Sequence, residues 1–403
     1  MSQAATTALE MYRTLHAKTR PLHTFIVKVA SRCNLNCTYC FVYNAADSQW
    51  KRQPKRMHPR LMKQLARRIR EHAEEHELAD VSIVMHGGEP LLLGPRYLTV
   101  FFRIFEEQFA QSGIGISFGM QSNGLLFSQS IGDILAQHGA TIGVSIDGPP
   151  RVNDLTRVDH RGLPSTSRLE EKLRLLSSPR YHSVFSGFLS VINLAADPSE
   201  TLEYLSSFHP PGVDFILPYD NHDRLPPGKR DFESTEYGRW LVELFDYWFD
   251  HLPTLRVRLF DSLLRIMVGG SSTVESIGLG PVDLIVVETD GEIEAVDSLK
   301  ATYDGATRLG LNIDQHSFCD AVRHPAVHSR QIGLSALPEV CKRCDIVRLC
   351  GGGYLPNRYS RARQFNNPSV YCRDLELLIR HIRCRVEPLL KQAGIATERA
   401  TTC

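Results

Sequence analysis

At 403 residues, with 42% hydrophobic and 23% charged composition and a formal net charge of +1, the chain can bury the cores of two or three units. That charge balance excludes a broad basic face for nucleic acid. No stretch reaches the ~20 apolar residues of a membrane span, and MSQAATTALEMYRTLHAKTR lacks the apolar centre of a signal peptide, so a cytoplasmic protein with no membrane partner is expected.

Residues 1–23 read as an N-terminal extension. From residue 24 to 222 short β-rich runs alternate with longer amphipathic ones. The predicted strands are TFIVKVAS, DVSIVMHG, GISFGMQSN, TIGVSIDG, VFSGFLSVINL and VDFILPYD. Segments such as PRLMKQLARRIREHAEEHE and GPRYLTVFFRIFEEQFAQSG separate them, with apolar residues at helical spacing. This order predicts parallel strands with right-handed crossovers, an α/β fold of the partial (β/α)6 TIM-like type. The basic run KRQPKRMHPR, 51–60, reads as a solvated loop, or alternatively as a contact for an acidic peptide or redox partner.

Residues 223–283 read as a helical linker region carrying EYGRWLVELFDYWFDHL and VRLFDSLLRIMVGG. Residues 284–385 open with a hairpin signal, LIVVETDGEIEAVD, where Asp290-Gly291 separates two β-like runs. They then turn Gly- and Pro-rich, as suits a small region held by a metal centre. A closing helix is expected from about Arg373, with 386–403 as its end and a tail.

Seven of the ten cysteines fall into two groups. In a reduced compartment such clusters more often bind metal than pair as disulfides. SRCNLNCTYCFVYN places Cys33, Cys37 and Cys40 on the loop leaving the first strand. A closed zinc site needs a fourth ligand, whereas an iron–sulfur cube held by three thiolates leaves one iron open for a small molecule. Cys341, Cys344, Cys350 and Cys372 can close around zinc or a [4Fe–4S] cluster. Cys319, Cys384 and Cys403 stand outside both groups. Cys384 reads as a small buried apolar residue, and Cys319 as an unassigned thiol, with a recruited cluster ligand as the alternative.

The string C-N-L-N-C-T-Y-C followed by Phe41 resembles the cluster motif of radical S-adenosylmethionine (SAM) enzymes. The resemblance implies a [4Fe–4S] cluster on Cys33, Cys37 and Cys40, with SAM on the open iron. Further motifs stand at successive strand ends. Gly87, Gly88 and Glu89 resemble the GGE motif, with the carboxylate placed to accept from the SAM ammonium. Ser122 and Asn123 follow the third strand, as candidates for the ribose or carboxylate. Ser145 and Arg157 match SAM contacts of sulfatase-maturing members, Arg157 pairing with the methionyl carboxylate. Leu217 and the backbone at Tyr39 are expected beside adenine.

CKRCDIVRLCGGGYLPNRYS with FNNPSVYC resembles the SPASM extension of radical SAM peptide-modifying enzymes, which implies one auxiliary [4Fe–4S] cluster on the four C-terminal cysteines. The full seven-cysteine pattern has a cysteine where this chain has Tyr354, and others near the hairpin, where VVETDGEIEAVDSLK has none. The first auxiliary cluster of that pattern is therefore expected to be missing. By the same comparison Asp297 corresponds to a proton acceptor, and a dry site is expected to raise its pKa.

More broadly the chain resembles radical SAM/SPASM maturases of the FxS type, whose class forms three-residue cyclophanes (triceptides) on ribosomal peptides. This implies an oxidoreductase that takes a Cβ hydrogen and joins that carbon to an aromatic ring. The implied partners are a precursor peptide and an electron donor such as flavodoxin or ferredoxin, with the leader recognised either by a surface of this chain or by a separate leader-binding protein. Thioether formation, epimerisation and sulfatase-type oxidation are the rival peptide modifications. A zinc-stabilised interaction protein is the non-enzyme alternative.

Overall fold

The computed structural model describes residues 20–395, so most of the expected N-terminal extension and the end of the tail, with Cys403, lie outside the described residues. Six strands follow in the expected order: β1 Thr24–Ala30, β2 Asp80–Gly87, β3 Gly115–Ser122, β4 Thr141–Ser145, β5 Phe185–Val191 and β6 Gly212–Ile216. Each pairs in parallel with the next. Along β2, Val81, Ile83 and Met85 are buried while Ser82, Val84 and His86 are partly accessible. One side of the strand therefore packs under helices, and the other turns toward a cavity that Ile26 and His86 line.

The helices that return the chain bury stripes at helical spacing. In Pro59–Glu75, Met62, Leu65, Ala66, Ile69 and Ala73 are buried, each large apolar side chain contributing about 1.5–3 kcal/mol. The helix starts where the His58 ring accepts from the Arg60 amide at 3.2 Å and Pro59 takes the first position. In Gly94–Phe109, Phe101, Phe102 and Phe105 are fully buried.

The sheet continues past both ends of this unit. β7, Arg256–Val257, lies parallel to β6, and β8, Leu284–Val287, lies parallel to β1. β9, Glu292–Glu294, and β10, Arg308–Asn312, follow as antiparallel strands. The order is β10-β9-β8-β1-β2-β3-β4-β5-β6-β7 in one sheet. The divisions read at 222/223 and 283/284 thus cut through a continuous ladder. The physical reason is that an incomplete barrel leaves edge amides and carbonyls on β1 and β6, and the later segments satisfy them.

The closing helix Cys372–Gln392 also runs unbroken through the division read at 385/386. On it Leu375, Leu378, Ile379, Ile382 and Val386 face inward. Cys384 falls off that stripe and is exposed, which corrects its reading as a buried residue. Of the basic run, Gln53 and Met57 are buried and the cations are exposed. No described helix is long and apolar enough to cross a membrane.

Candidate active site and thiolate centres

At the C-terminal ends of β1 to β6 lies a cavity lined by Cys33, Cys37, Tyr39, Cys40, Gly87, Gly88, Ser122, Asn123, Ser145, Arg157, Leu217 and Asp297. These are the expected first-group and ligand-contact residues except Glu89. The loop after β1 is stitched to the end of β2, the Gly88 amide donating to the Ala30 carbonyl at 2.8 Å and the Glu89 amide to the Arg32 carbonyl at 2.9 Å. Gly88 is required here because a Cβ would lie 2.0 Å from Tyr43 Oη and 2.3 Å from the Arg32 carbonyl oxygen. The glycines therefore admit the cysteine loop itself, in addition to lining the cavity.

Glu89 is fully buried. Its Oε1 accepts from the Leu91 amide (2.9 Å) and Ser122 Oγ (2.8 Å), and its Oε2 from the Asn123 amide (2.8 Å). Sequence reasoning gave this carboxylate to a ligand ammonium; in the structure it organises the β3 end that carries Ser122 and Asn123. Burial raises its pKa, and the three hydrogen bonds counter that.

Arg157 Nη1 donates to Tyr39 Oη (2.7 Å), which donates to Asp147 Oδ2 (2.7 Å). Asp147 Oδ1 in turn accepts from the Val191 amide at 3.0 Å. The buried Arg157 is thus held by an aromatic hydroxyl from the cysteine loop and aimed at the cavity. Ser145 Oγ accepts from Gln121 Nε2 at 2.9 Å. Asp147 and Gln121 were not among the expected site residues.

Asp297 sits at the start of a short helical turn after the hairpin. Its Oδ2 pairs with the ammonium of Lys28 from β1, and its Oδ1 is buried with no hydrogen-bond partner. Burial pushes the Asp297 carboxyl up, but the Lys28 ammonium and then that of Lys300 more than reverse this and hold it below its ordinary value. The expectation of a raised pKa is corrected by these two lysines, which sequence reasoning missed. Lys300 Nζ also contacts Glu288 (2.5 Å) and Glu294 (2.9 Å).

Two buried ammonium groups thus face three buried carboxyls, so one carboxyl keeps its proton. That one is Glu294, pushed up to about 8, first by burial. An acid with a raised folded-state pKa binds more protons folded than unfolded, so this group's contribution to stability is lost as pH rises from about 4.5 through about 8. Glu294→Gln has no proton to lose. It should melt a few degrees above the parent at pH 9 and close to it at pH 5, as followed by circular dichroism.

In the second thiol group Cys344 donates its amide to the Cys341 carbonyl (3.1 Å), Cys350 ends the turn Val347–Cys350, and Cys372 starts the closing helix. Cys372 is fixed by Asp374, whose carboxylate pairs with the fully buried Lys229 (2.6 Å) and accepts from the Gly238 amide (2.8 Å). The chain escapes Cys350 through Gly351, whose φ is +64° and whose Cβ would lie 1.8 Å from the Gly278 carbonyl oxygen. Tyr354 lies beside Tyr219, ring centroids 5.4 Å apart, and Tyr219 meets Phe41 edge-on at 5.1 Å. Tyr219, Tyr354 and Leu217 also line a second, adjoining cavity with Leu189, Phe215 and Leu259.

Residues 27–185 match the sequence model of the Radical SAM superfamily. They form a radical SAM domain. A cysteine-type anaerobic sulfatase-maturating enzyme of Clostridium perfringens is 27% identical over 361 residues, covering 87% of this chain and 94% of that protein. A serine-type anaerobic sulfatase-maturating enzyme of Bacteroides thetaiotaomicron is 26% identical over 363 residues, covering 85% and 84%. Among solved structures, native anSMEcpe with bound AdoMet and Cp18Cys peptide superposes with a TM-score of 0.76 at 25% identity, over 93% of this chain and 100% of that one. The radical SAM domain thus belongs to an enzyme, and the likeness to these relatives continues through the C-terminal half.

Both thiol groups fit anionic iron–sulfur centres. Burial pushes the Cys33 thiol up to about 12, so it is neutral without a metal to stabilise the thiolate. Its sulfur accepts from the Leu35 amide (3.4 Å) and faces Asn123 Nδ2 at 3.7 Å. The charges of Arg157 and Lys28 act on Cys40, and that of Arg157 on Cys37. At the second group, buried Arg358 acts on Cys341 and Cys350 and has a buried Nε with no partner.

Cys319 belongs to neither group. Its sulfur lies 3.6 Å from His72 Nδ1 and 3.5 Å from His76 Nε2. The Leu22 amide donates to His72 Nε2 at 3.0 Å. That leaves the ring proton on Nδ1, facing the sulfur, so the trio is hydrogen-bonded rather than open to a metal ion. The carboxyl trio Glu288, Glu294 and Asp297 is likewise filled, by the Lys300 ammonium.

Proposed function

We propose that this radical SAM enzyme matures a ribosomally made peptide by joining a side-chain carbon to an aromatic ring, using Cys33, Cys37 and Cys40 for the radical cluster and Cys341, Cys344, Cys350 and Cys372 for one auxiliary cluster. When bound, SAM and the clusters supply a 5′-deoxyadenosyl radical that removes a hydrogen atom and an acceptor for the electron released when the ring regains aromaticity. Gly87, Gly88, Ser122, Asn123, Ser145, Arg157 and Leu217 border the space for SAM. Arg157, held by Tyr39, is the group suited to its carboxylate.

The proton goes to Asp297. This residue lines the cavity, and its Oδ1 accepts no hydrogen bond within the protein and has the Lys300 ammonium 3.9 Å away. A carboxylate of low pKa suffices, because a ring that has lost its electron before its proton is a strong acid. Lys28 keeps this carboxylate ionised and fixed.

The observation that carries the ring-directed reading is the second cavity. At the position of the absent cysteine stands Tyr354, and with Tyr219, Phe215, Leu217 and Leu259 it walls a mostly apolar chamber adjoining the first, which Asp214, Arg258 and Glu275 also line. Such a chamber suits an aromatic side chain. Sulfatase-type oxidation of a Cys or Ser side chain is the second reading, favoured by the two curated relatives.

Anaerobic incubation with SAM, dithionite and candidate peptides tests this by fragmentation mass spectrometry. A peptide that carries an aromatic residue, contains neither Cys nor Ser, and loses two hydrogens supports ring cross-linking. Modification confined to peptides with Cys or Ser replaces it with the sulfatase-type reading. A flavodoxin or ferredoxin donor, and leader recognition by a surface of this chain or by a separate leader-binding protein, complete the proposed system.

A further inference from the structure

Lys28 and His86 are direct partners in the parallel β1–β2 register, and their side chains meet, Lys28 Nζ lying 3.2 Å from His86 Nδ1. The Lys28 side chain is 3% exposed and also pairs with Asp297. An ammonium has only donors, so His86 Nδ1 is the acceptor in this contact. The single proton of the neutral imidazole is then on Nε2. The ring lines the catalytic cavity, as does Asp297.

We propose that His86 is a substrate-binding residue whose Nε2–H donates to a backbone carbonyl of the peptide in front of Asp297, with Lys28 as the positioning residue that sets the tautomer.

The inference rests on the peptide-substrate reading. The chemistry of the wall selects the acceptor. Lys28, Lys300, Asp297 and Glu288 already pair their charges within the protein, so the group offered to substrate here is a neutral donor. A neutral donor suits a neutral acceptor, and a peptide brings one carbonyl with every residue. The same contact excludes His86 as the base of the reaction. Burial and the Lys28 ammonium push the imidazole down to about 3, against the Gly87 backbone, which favours the protonated ring. With Nδ1 accepting from Lys28, the other nitrogen of this cavity-lining ring carries the hydrogen. Donation to a main-chain carbonyl also orients the peptide without reading its side chains. It fixes the distance of the reacting carbon from Asp297 whatever residue occupies the aromatic chamber.

The amide of glutamine places an N–H near the position of His Nε2, phenylalanine keeps the ring shape without a donor, and asparagine is too short to reach. His86→Phe and His86→Asn should raise the peptide KM about 10-fold or more while the SAM dissociation constant moves less than twofold. His86→Gln should restore the peptide KM to within about fivefold of the parent. Circular dichroism and SAM binding verify that each variant is folded. A Phe variant with the parental peptide KM overturns the proposal, as does a Gln variant no better than Phe, which would make the role one of packing. A rise in the SAM dissociation constant alone assigns His86 to the cofactor and overturns it too. If the parent enzyme modifies no peptide under conditions where it cleaves SAM, the peptide reading fails first, and the inference with it.

Discussion

Asp297→Asn is expected to abolish cross-linked product, by about 100-fold or more, while 5′-deoxyadenosine continues to form. The asparagine keeps the shape of the carboxylate at the cavity wall but cannot take a proton through Oδ1. It also removes the partner of the buried Lys28. Breaking a buried ion pair from one side costs about 3–5 kcal/mol, so the variant should unfold at lower urea. The two effects separate in Asp297→Asn combined with Lys28→Met, assayed at saturating peptide so that the lost Lys28–His86 contact does not limit product; no unpaired buried charge remains there. Stability should return and product should not. Liquid chromatography of nucleoside and peptide together reads the outcome, and undiminished product from Asp297→Asn would remove this residue from the proton step.

The thiolate groups predict a second large effect, and they predict it asymmetrically. Joint replacement of Cys33, Cys37 and Cys40 by Ala should remove about half the iron and reduce SAM cleavage to background. Cys350→Ala should remove a similar share of iron and stop product, yet leave SAM cleavage measurable, because the two groups are held by separate parts of the chain. The first group hangs on the β1 loop and the β2 end, and the second on Cys372 with its Lys229–Asp374 anchor. Iron and sulfide assays, paired with nucleoside analysis, decide between this and a single interdependent centre. Full iron content and undiminished SAM cleavage in the triple variant would refute the assignment of the first group.

The elements of the barrel were legible because each has a local signal. β1 to β6 are short runs carrying β-branched or aromatic residues, and the helices between them carry stripes at 3.6-residue spacing. The cavity was legible for the same reason, since its motifs close successive strands. What escaped was long-range. Nothing near LIVV announces that β8 pairs with TFIVKVA some 260 residues earlier. Nor does the sequence reveal that the Glu89 carboxylate is occupied by Ser122 and Asn123. The charged box around Asp297 left one sign that was not used, Lys28 in the middle of an apolar run. A parallel strand covered on both faces offers lysine no water, so such a residue needs a buried counter-charge. Cys384 was misplaced because its neighbours are apolar, although its own angular position on the helix points away from the stripe.

The pairing of β8 with β1 also constrains how such enzymes can be recombined. Asp297 reaches the cavity from the C-terminal half, and Cys33 from the N-terminal half. Their relative placement is carried by one ladder, with Val27 beside Val287 and Thr24 beside Leu284. A slip of one residue there would turn every side chain of β8 to the opposite face. A chimera joined near residue 283, at the seam the sequence suggests, therefore inherits two strand edges that never evolved against each other. Exchanging β1 together with everything from β8 onward keeps that ladder native, even though the two pieces are far apart in the gene.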